Sequence, residues 1–153
     1  MFGLKSFLLA ATVVTTPVVA FTADQFPTGS KTATEIVSLL EQQGYGPFHE
    51  VSFDDGIWEV EVQEKGQWFE LRVDPQSGKI LSALRDDVKR SATAEAQPLS
   101  KILHGLEQAG YVHITDVSFE QTDWEIDAFR ASDKHELHVN PKSGEVVSDR
   151  LDD

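Results

Sequence analysis

The string WFELRVDPQSGKILS at 68–82 returns as KHELHVNPKSGEVVS at 134–148. This recurrence constrains the fold more than any other feature of the chain. Sliding the sequence by 66 residues lays 36–87 on 102–153 without a gap. About 20 of the 52 aligned pairs are then identical, which an internal duplication explains. LEQ at 40–42 recurs at 106–108, Gly44-Tyr45 as Gly110-Tyr111, VSF at 51–53 as 117–119, and Trp58-Glu59 as Trp124-Glu125. Each unit has only about 55 residues, below what buries enough surface alone, so the two copies are expected to pack together.

Each copy reads the same way. Thr32 with Glu35 has the form of a capping box, and Ile36, Val37 and Leu40 then share one helical stripe. Gly44 stands where a left-handed residue stops the helix. In the second copy Pro98 and Ser100 open the helix, Ile102, Leu103 and Leu106 form its stripe, and Gly110 ends it. Alternation then takes over. Trp58, Val60 and Val62 face one way and Glu59 and Glu61 the other; Phe69, Leu71 and Val73 oppose Trp68, Glu70 and Arg72. Lys65-Gly66-Gln67 reads as a hairpin turn. In Asp74-Pro75-Gln76-Ser77-Gly78, proline pre-sets φ, the aspartate bonds back to the turn and glycine takes the left-handed position. Asn140 replaces that aspartate in the second copy. Ser77 and Ser143 have no histidine or acid at a catalytic spacing, so the turn is structural. The predicted class is α+β, with two tandem repeats, each one helix packed on a three- to four-stranded antiparallel sheet.

The predicted boundaries are a signal peptide over 1–20, a mature amino-terminal segment over 21–31, repeat 1 over 32–87, a linker over 88–98 and repeat 2 over 99–153. MFGLKSFLLAATVVTTPVVA combines an early lysine, a short apolar run and small residues at the −3 and −1 positions, predicting cleavage after Ala20. Export to the periplasm or medium is expected, with no membrane span remaining. The chain has no cysteine, so no disulfide or lipid-modified cysteine is available. It carries 26 acidic residues against 13 Lys plus Arg, a formal net of −13, which repels nucleic acid and anionic membranes.

The Gly44-Tyr45 helix end with Val73-Asp74-Pro75-Gln76-Ser77-Gly78, repeated as Gly110-Tyr111 with Val139-Asn140-Pro141-Lys142-Ser143-Gly144, resembles the PepSY domain. That domain is named for the propeptides of thermolysin-type metallopeptidases and a sporulation protein. The resemblance covers both units in tandem. It implies a non-catalytic, extracytoplasmic binding or regulatory module that modulates or inhibits a peptidase in the bacterial envelope. It implies no catalytic residues, and no enzyme activity is expected. Against the propeptide pattern, no peptidase is expected to follow.

The outer sheet face is the candidate partner surface: Glu59, Glu61, Trp68, Glu70 and Arg72 in the first copy and Phe129, among Glu125, Asp127, Lys134, Glu136 and His138, in the second. A tryptophan among charges suits recognition, because it brings large contact area at little entropic cost. The competing expectation is that the two outer faces cover each other. Trp58 and Trp124 are assigned to the core. His135-x-x-His138 invites a metal reading, but residues three apart on a strand point to opposite faces, so no metal site and no cofactor are expected. Asp54-Asp55-Gly56 lacks the spaced oxygens of a calcium loop. The alternative function class is a cation- or small-ligand-binding accessory protein of the periplasm, with the acids as ligands.

Overall fold

A computed structural model describes residues 26–152. The expected signal peptide at 1–20 lies outside the described residues. The helix α1 spans Ala33–Gln42 and begins with a complete capping box: Glu35 N–H donates to Thr32 Oγ1 at 3.2 Å and Thr32 N–H to Glu35 Oε2 at 2.7 Å. It is followed by β1 (Phe48–Asp54), β2 (Ile57–Glu64), β3 (Gln67–Val73) and β4 (Ile80–Arg85). The second copy repeats the order with α2 (Leu99–Gln108), β5 (Val112–Glu120), β6 (Asp123–Arg130), β7 (Asp133–Val139) and β8 (Val146–Leu151). Two-residue hairpins join β1 to β2 and β2 to β3 through Asp55-Gly56 and Lys65-Gly66, all four residues at positive φ, as right-twisting strands require.

The repeated turn pins the helix to the sheet. Asp74 Oδ1 accepts from Ser77 N–H at 2.7 Å, Ser77 Oγ at 2.8 Å and Gln76 N–H at 3.1 Å. These bonds, led by that of the Ser77 amide, hold the Asp74 carboxyl below its ordinary range. Pro75 O then accepts from Lys31 N–H at 2.7 Å, fastening the chain just before α1. Asn140 Oδ1 does the same work with Lys142 N–H and Ser143 N–H, and Pro141 O accepts from Gln97 N–H at 2.9 Å.

All eight strands form one antiparallel sheet in the order β4-β3-β2-β1-β5-β6-β7-β8. The joint is β1 against β5, with Val51 opposite Val117, Glu50 opposite Ser118 and Ser52 opposite Asp116. A pseudo-twofold axis therefore passes between Val51 and Val117, relating each residue to the one 66 places on. The outer faces of the copies lie side by side in one surface, so they do not cover each other. Size explains the arrangement. Ile36, Val37 and Leu40 of α1, Ile102, Leu103 and Leu106 of α2, Trp58, Trp124 and the inward valines and leucines of both copies make one buried cluster. Joining edges lets two undersized units share a single core and removes one exposed edge from each.

Candidate recognition surface

The sheet face away from the helices follows directly from strand alternation and register. One row across it reads Glu70, Glu61, Glu50, Ser118, Glu125 and His138, each directly opposite the next. The adjacent row reads Arg72, Glu59, Ser52, Asp116, Asp127, Glu136 and Arg150. Carboxylates thus face carboxylates at Glu50–Glu61, Glu61–Glu70, Asp116–Asp127 and Asp127–Glu136. Like charges directly opposite on a sheet repel. Cations on the same face offset part of this repulsion: Arg72 Nε lies 3.5 Å from Glu59, Lys134 Nζ 2.8 Å from Asp127, and Arg150 pairs with Glu136. Asp127 and Asp152 in turn hold the Lys134 ammonium well above its ordinary range.

Asp116, at the middle of the sheet, feels the concentration most. Burial first, and then the negative charges of Glu50, Asp127 and Glu125, push its carboxyl up to about 6. Glu50, Ser52, Asp116 and Ser118 at this centre had not been singled out from the sequence. The signal was available in the repeated Val-Ser-Phe strands, whose alternation places Glu50 and Asp116 beside Ser52 and Ser118 on the polar side.

The candidates named from sequence divide. Glu59, Glu61 and Glu70 are half-buried on this face, and Arg72 is exposed at its margin. Trp68 lies on the same face but is only 3% exposed. The chain beyond β4 crosses back over this corner: Asp86 N–H donates to Trp68 O at 3.0 Å, Lys89 Nζ sits 3.0 Å from Glu61, and Arg90 O faces His49 Nδ1 at 2.7 Å. His49 meets the Trp68 ring edge-on at 6.5 Å between centroids. Trp68 is thus packed under the linker and not presented. Phe129, half-buried, sits far along β6 opposite Lys134, away from the Trp68 corner.

The histidines separate by face. His135 pairs with Ala128 on the helix side, where Asp149 Oδ1 lies 2.6 Å from its Nδ1 and Tyr111 donates to Asp149 Oδ2 at 2.6 Å. The tyrosine hydroxyl is the main cause of the lowered Asp149 carboxyl. His138 stands on the outer face, 3.8 Å from Glu125 and 3.6 Å from Glu136. Donor atoms of Glu125, Glu136 and His138, and separately of His49, Glu50 and Glu61, lie within 4.8 Å of one another. Both sets can approach a cation, yet each already has one seated, Arg150 on Glu136 and Lys89 on Glu61. In this structure both take part in ion pairs across the face.

The outer edges of the sheet are the remaining exposed feature. Leu81 and Leu84 on β4, and Val147 and Leu151 on β8, are each roughly 60% exposed, on strands that leave one side unpaired among the described residues. Among the described residues, no helix is long and apolar enough to cross a membrane.

Comparison with known proteins fits this two-copy architecture. The family described as peptidase propeptide and YPEB domain matches twice, over residues 5–84 and 82–150. The chain belongs to the PepSY family. Among solved structures, a putative lipoprotein from Clostridium difficile 630 is similar at 8% identity and TM-score 0.47, over 82% of this chain and 96% of that one. A BLIP-like protein from Bacteroides fragilis is similar at 11% identity and TM-score 0.31, over 79% and 86%. A DUF2874 family protein from Bacteroides ovatus is similar at 16% identity and TM-score 0.30, over 80% and 89%. No curated protein matches. PepSY membership agrees with the two Gly-Tyr helix ends and the two Pro-x-Ser-Gly turns, which are scaffold chemistry in both copies.

Proposed function

We propose that this PepSY protein is a non-catalytic, exported binding and regulatory module that modulates a peptidase of the bacterial envelope through its open acidic sheet face. The observation that carries the reading is the pair of carboxylate-rich rows, interrupted by Ser52 and Ser118, that runs across both copies on the sheet face left uncovered by helices among the described residues. Such a face repels polyanions and attracts a cationic surface from a distance, which speeds encounter and selects partners. The paired carboxylates repel one another, so a basic partner relieves strain already present. Family membership supports the peptidase as partner and the extracytoplasmic setting as the place.

The test uses capture from periplasmic extract, with partners identified by mass spectrometry and assayed for peptidase activity. Wild type is compared with a Glu50→Lys, Glu125→Lys double variant, which reverses charge in one row without touching the core. Loss of a captured peptidase, with return of its activity, supports the reading. Equal capture by both proteins rejects the face.

A further inference from the structure

Two tryptophans occupy equivalent places in the two copies, and only one of them is fully served. Over Trp58 lies Phe26, with ring centroids 5.6 Å apart, and Phe26 also packs on Phe53 at 4.4 Å. Trp58 Nε1 donates to Lys31 O at 3.2 Å. The 66-residue offset carries Phe26 to Ala92. The correspondence holds locally, since the turn bond from Ser30 N–H to Pro27 O at 3.0 Å repeats as Ala96 N–H to Thr93 O at 2.9 Å. It also carries His113, the third ring beside Phe26, to Pro47.

Where the first copy has a phenyl ring, the second has a methyl group and a cavity of about 240 Å³. Tyr45, Pro47, Phe48, Ala92, Leu99 and Trp124 line it. Trp124 is 3% exposed, keeps Phe119 at 5.2 Å as the counterpart of Phe53, and has no hydrogen-bond partner for its Nε1 among the described residues. A buried donor without an acceptor is costly, and an apolar hollow beside it loses contacts that a filled one keeps. The missing ring is the deficit that opens to the cavity; the indole N–H is buried away from it.

We propose that this cavity binds a phenylalanine side chain of a partner polypeptide, seated on the Trp124 indole as Phe26 is seated on Trp58. Phe26 is the internal mould, a peptide-borne phenyl seated on the equivalent indole. Pro47, Phe48 and Tyr45 supply apolar walls, and Glu41, also in the lining, disfavours an acidic side chain. The cavity lies on the helix side of the sheet, so the proposal goes beyond the acidic-face reading and does not rest on it.

The experiment follows the Trp124 indole N–H resonance of the ¹⁵N-labelled protein, assigned through its contacts with Phe119, during titration with N-acetyl-phenylalaninamide. N-acetyl-alaninamide is the control. A saturable shift with the phenyl probe, at least about tenfold weaker with the alanine probe, is expected. Ala92→Phe, which builds the mould into the second copy, is expected to abolish the shift and raise the Tm. No saturable shift, an equal shift in Ala92→Phe, or a lowered Tm in that variant would each overturn the proposal.

Discussion

Glu41, in the last turn of α1, accepts hydrogen bonds from both the backbone N–H and the hydroxyl of Ser100, in the first turn of α2. The pseudo-twofold partner of this contact joins Thr34 Oγ1 to Glu107 Oε1 at 2.7 Å. Each helix thereby places an acid near its own carboxyl end, where its dipole disfavours one, and beside the amino end of its neighbour, where the dipole favours it. Pro98 supplies no side-chain cap to α2, so Glu41 replaces the missing cap from the other copy. Glu41→Ala should therefore lower stability by about 1–2 kcal/mol in denaturant unfolding, and Glu107→Ala by about 1 kcal/mol or less, because α1 keeps its own capping box. Equal losses would remove the capping argument.

Asp116→Asn should stabilise the protein at neutral pH. The folded carboxyl is raised to about 6 from an ordinary value of 3.8, so the folded state holds the proton more tightly than the unfolded chain does. Its cost is fully present above about pH 6 and fades as pH falls through the window to below 4. After allowance for solvent screening the gain at pH 7 is about 1–2 kcal/mol. Unfolding curves of the two proteins should converge near pH 4; a gain independent of pH would refute this origin.

Salt should stabilise the wild type. Like charges opposite one another at Glu50–Glu61 and Asp116–Asp127 are partly exposed, and screening reaches them. Raising sodium chloride from low concentration to about 0.15 M should increase unfolding free energy by about 0.5–1 kcal/mol, less in the Asp116→Asn variant.

Trp68→Ala should act on the fold. Trp68 is 3% exposed beneath the linker crossing, so truncation leaves a cavity and costs about 2–4 kcal/mol. Differential hydrogen exchange should show the loosening in β3 and in residues 86–90. A variant as stable as wild type would mean the tryptophan is free for partners after all.

Gly78→Ala and Gly144→Ala should both destabilise, since each glycine has φ +74. The strain alone is about 1 kcal/mol. A methyl at Gly78 would also come within 2.7 Å of Leu39 Cδ1, while at Gly144 the nearest atom is 3.8 Å away, so the first substitution should cost more.

Much of this was legible in the residues because it is local. The capping box of Thr32 and Glu35, the hairpin glycines, the Asp74 and Asn140 turns and the two-faced strands are each decided by neighbours within a few positions. The duplication follows from identity at a constant offset, and the Gly-Tyr and Pro-x-Ser-Gly motifs that it repeats carry the family resemblance. Trp68 shows where local reading stops. Its alternation places it correctly on the outer face, but whether that place is open depends on where residues 86–90 travel, which no strand pattern records.

The joint of β1 and β5 is a different matter. Strand edges bond through backbone amides and carbonyls common to every residue, so no side-chain pattern announces which edge meets which. Sequence alone established what each unit is; the tertiary structure decided that two units share one sheet and one core. That decision merges two short acidic strips into one surface. It also leaves Ala92 beside an uncovered Trp124, because side-by-side joining closes the core without requiring the two ends of the repeat to be filled alike.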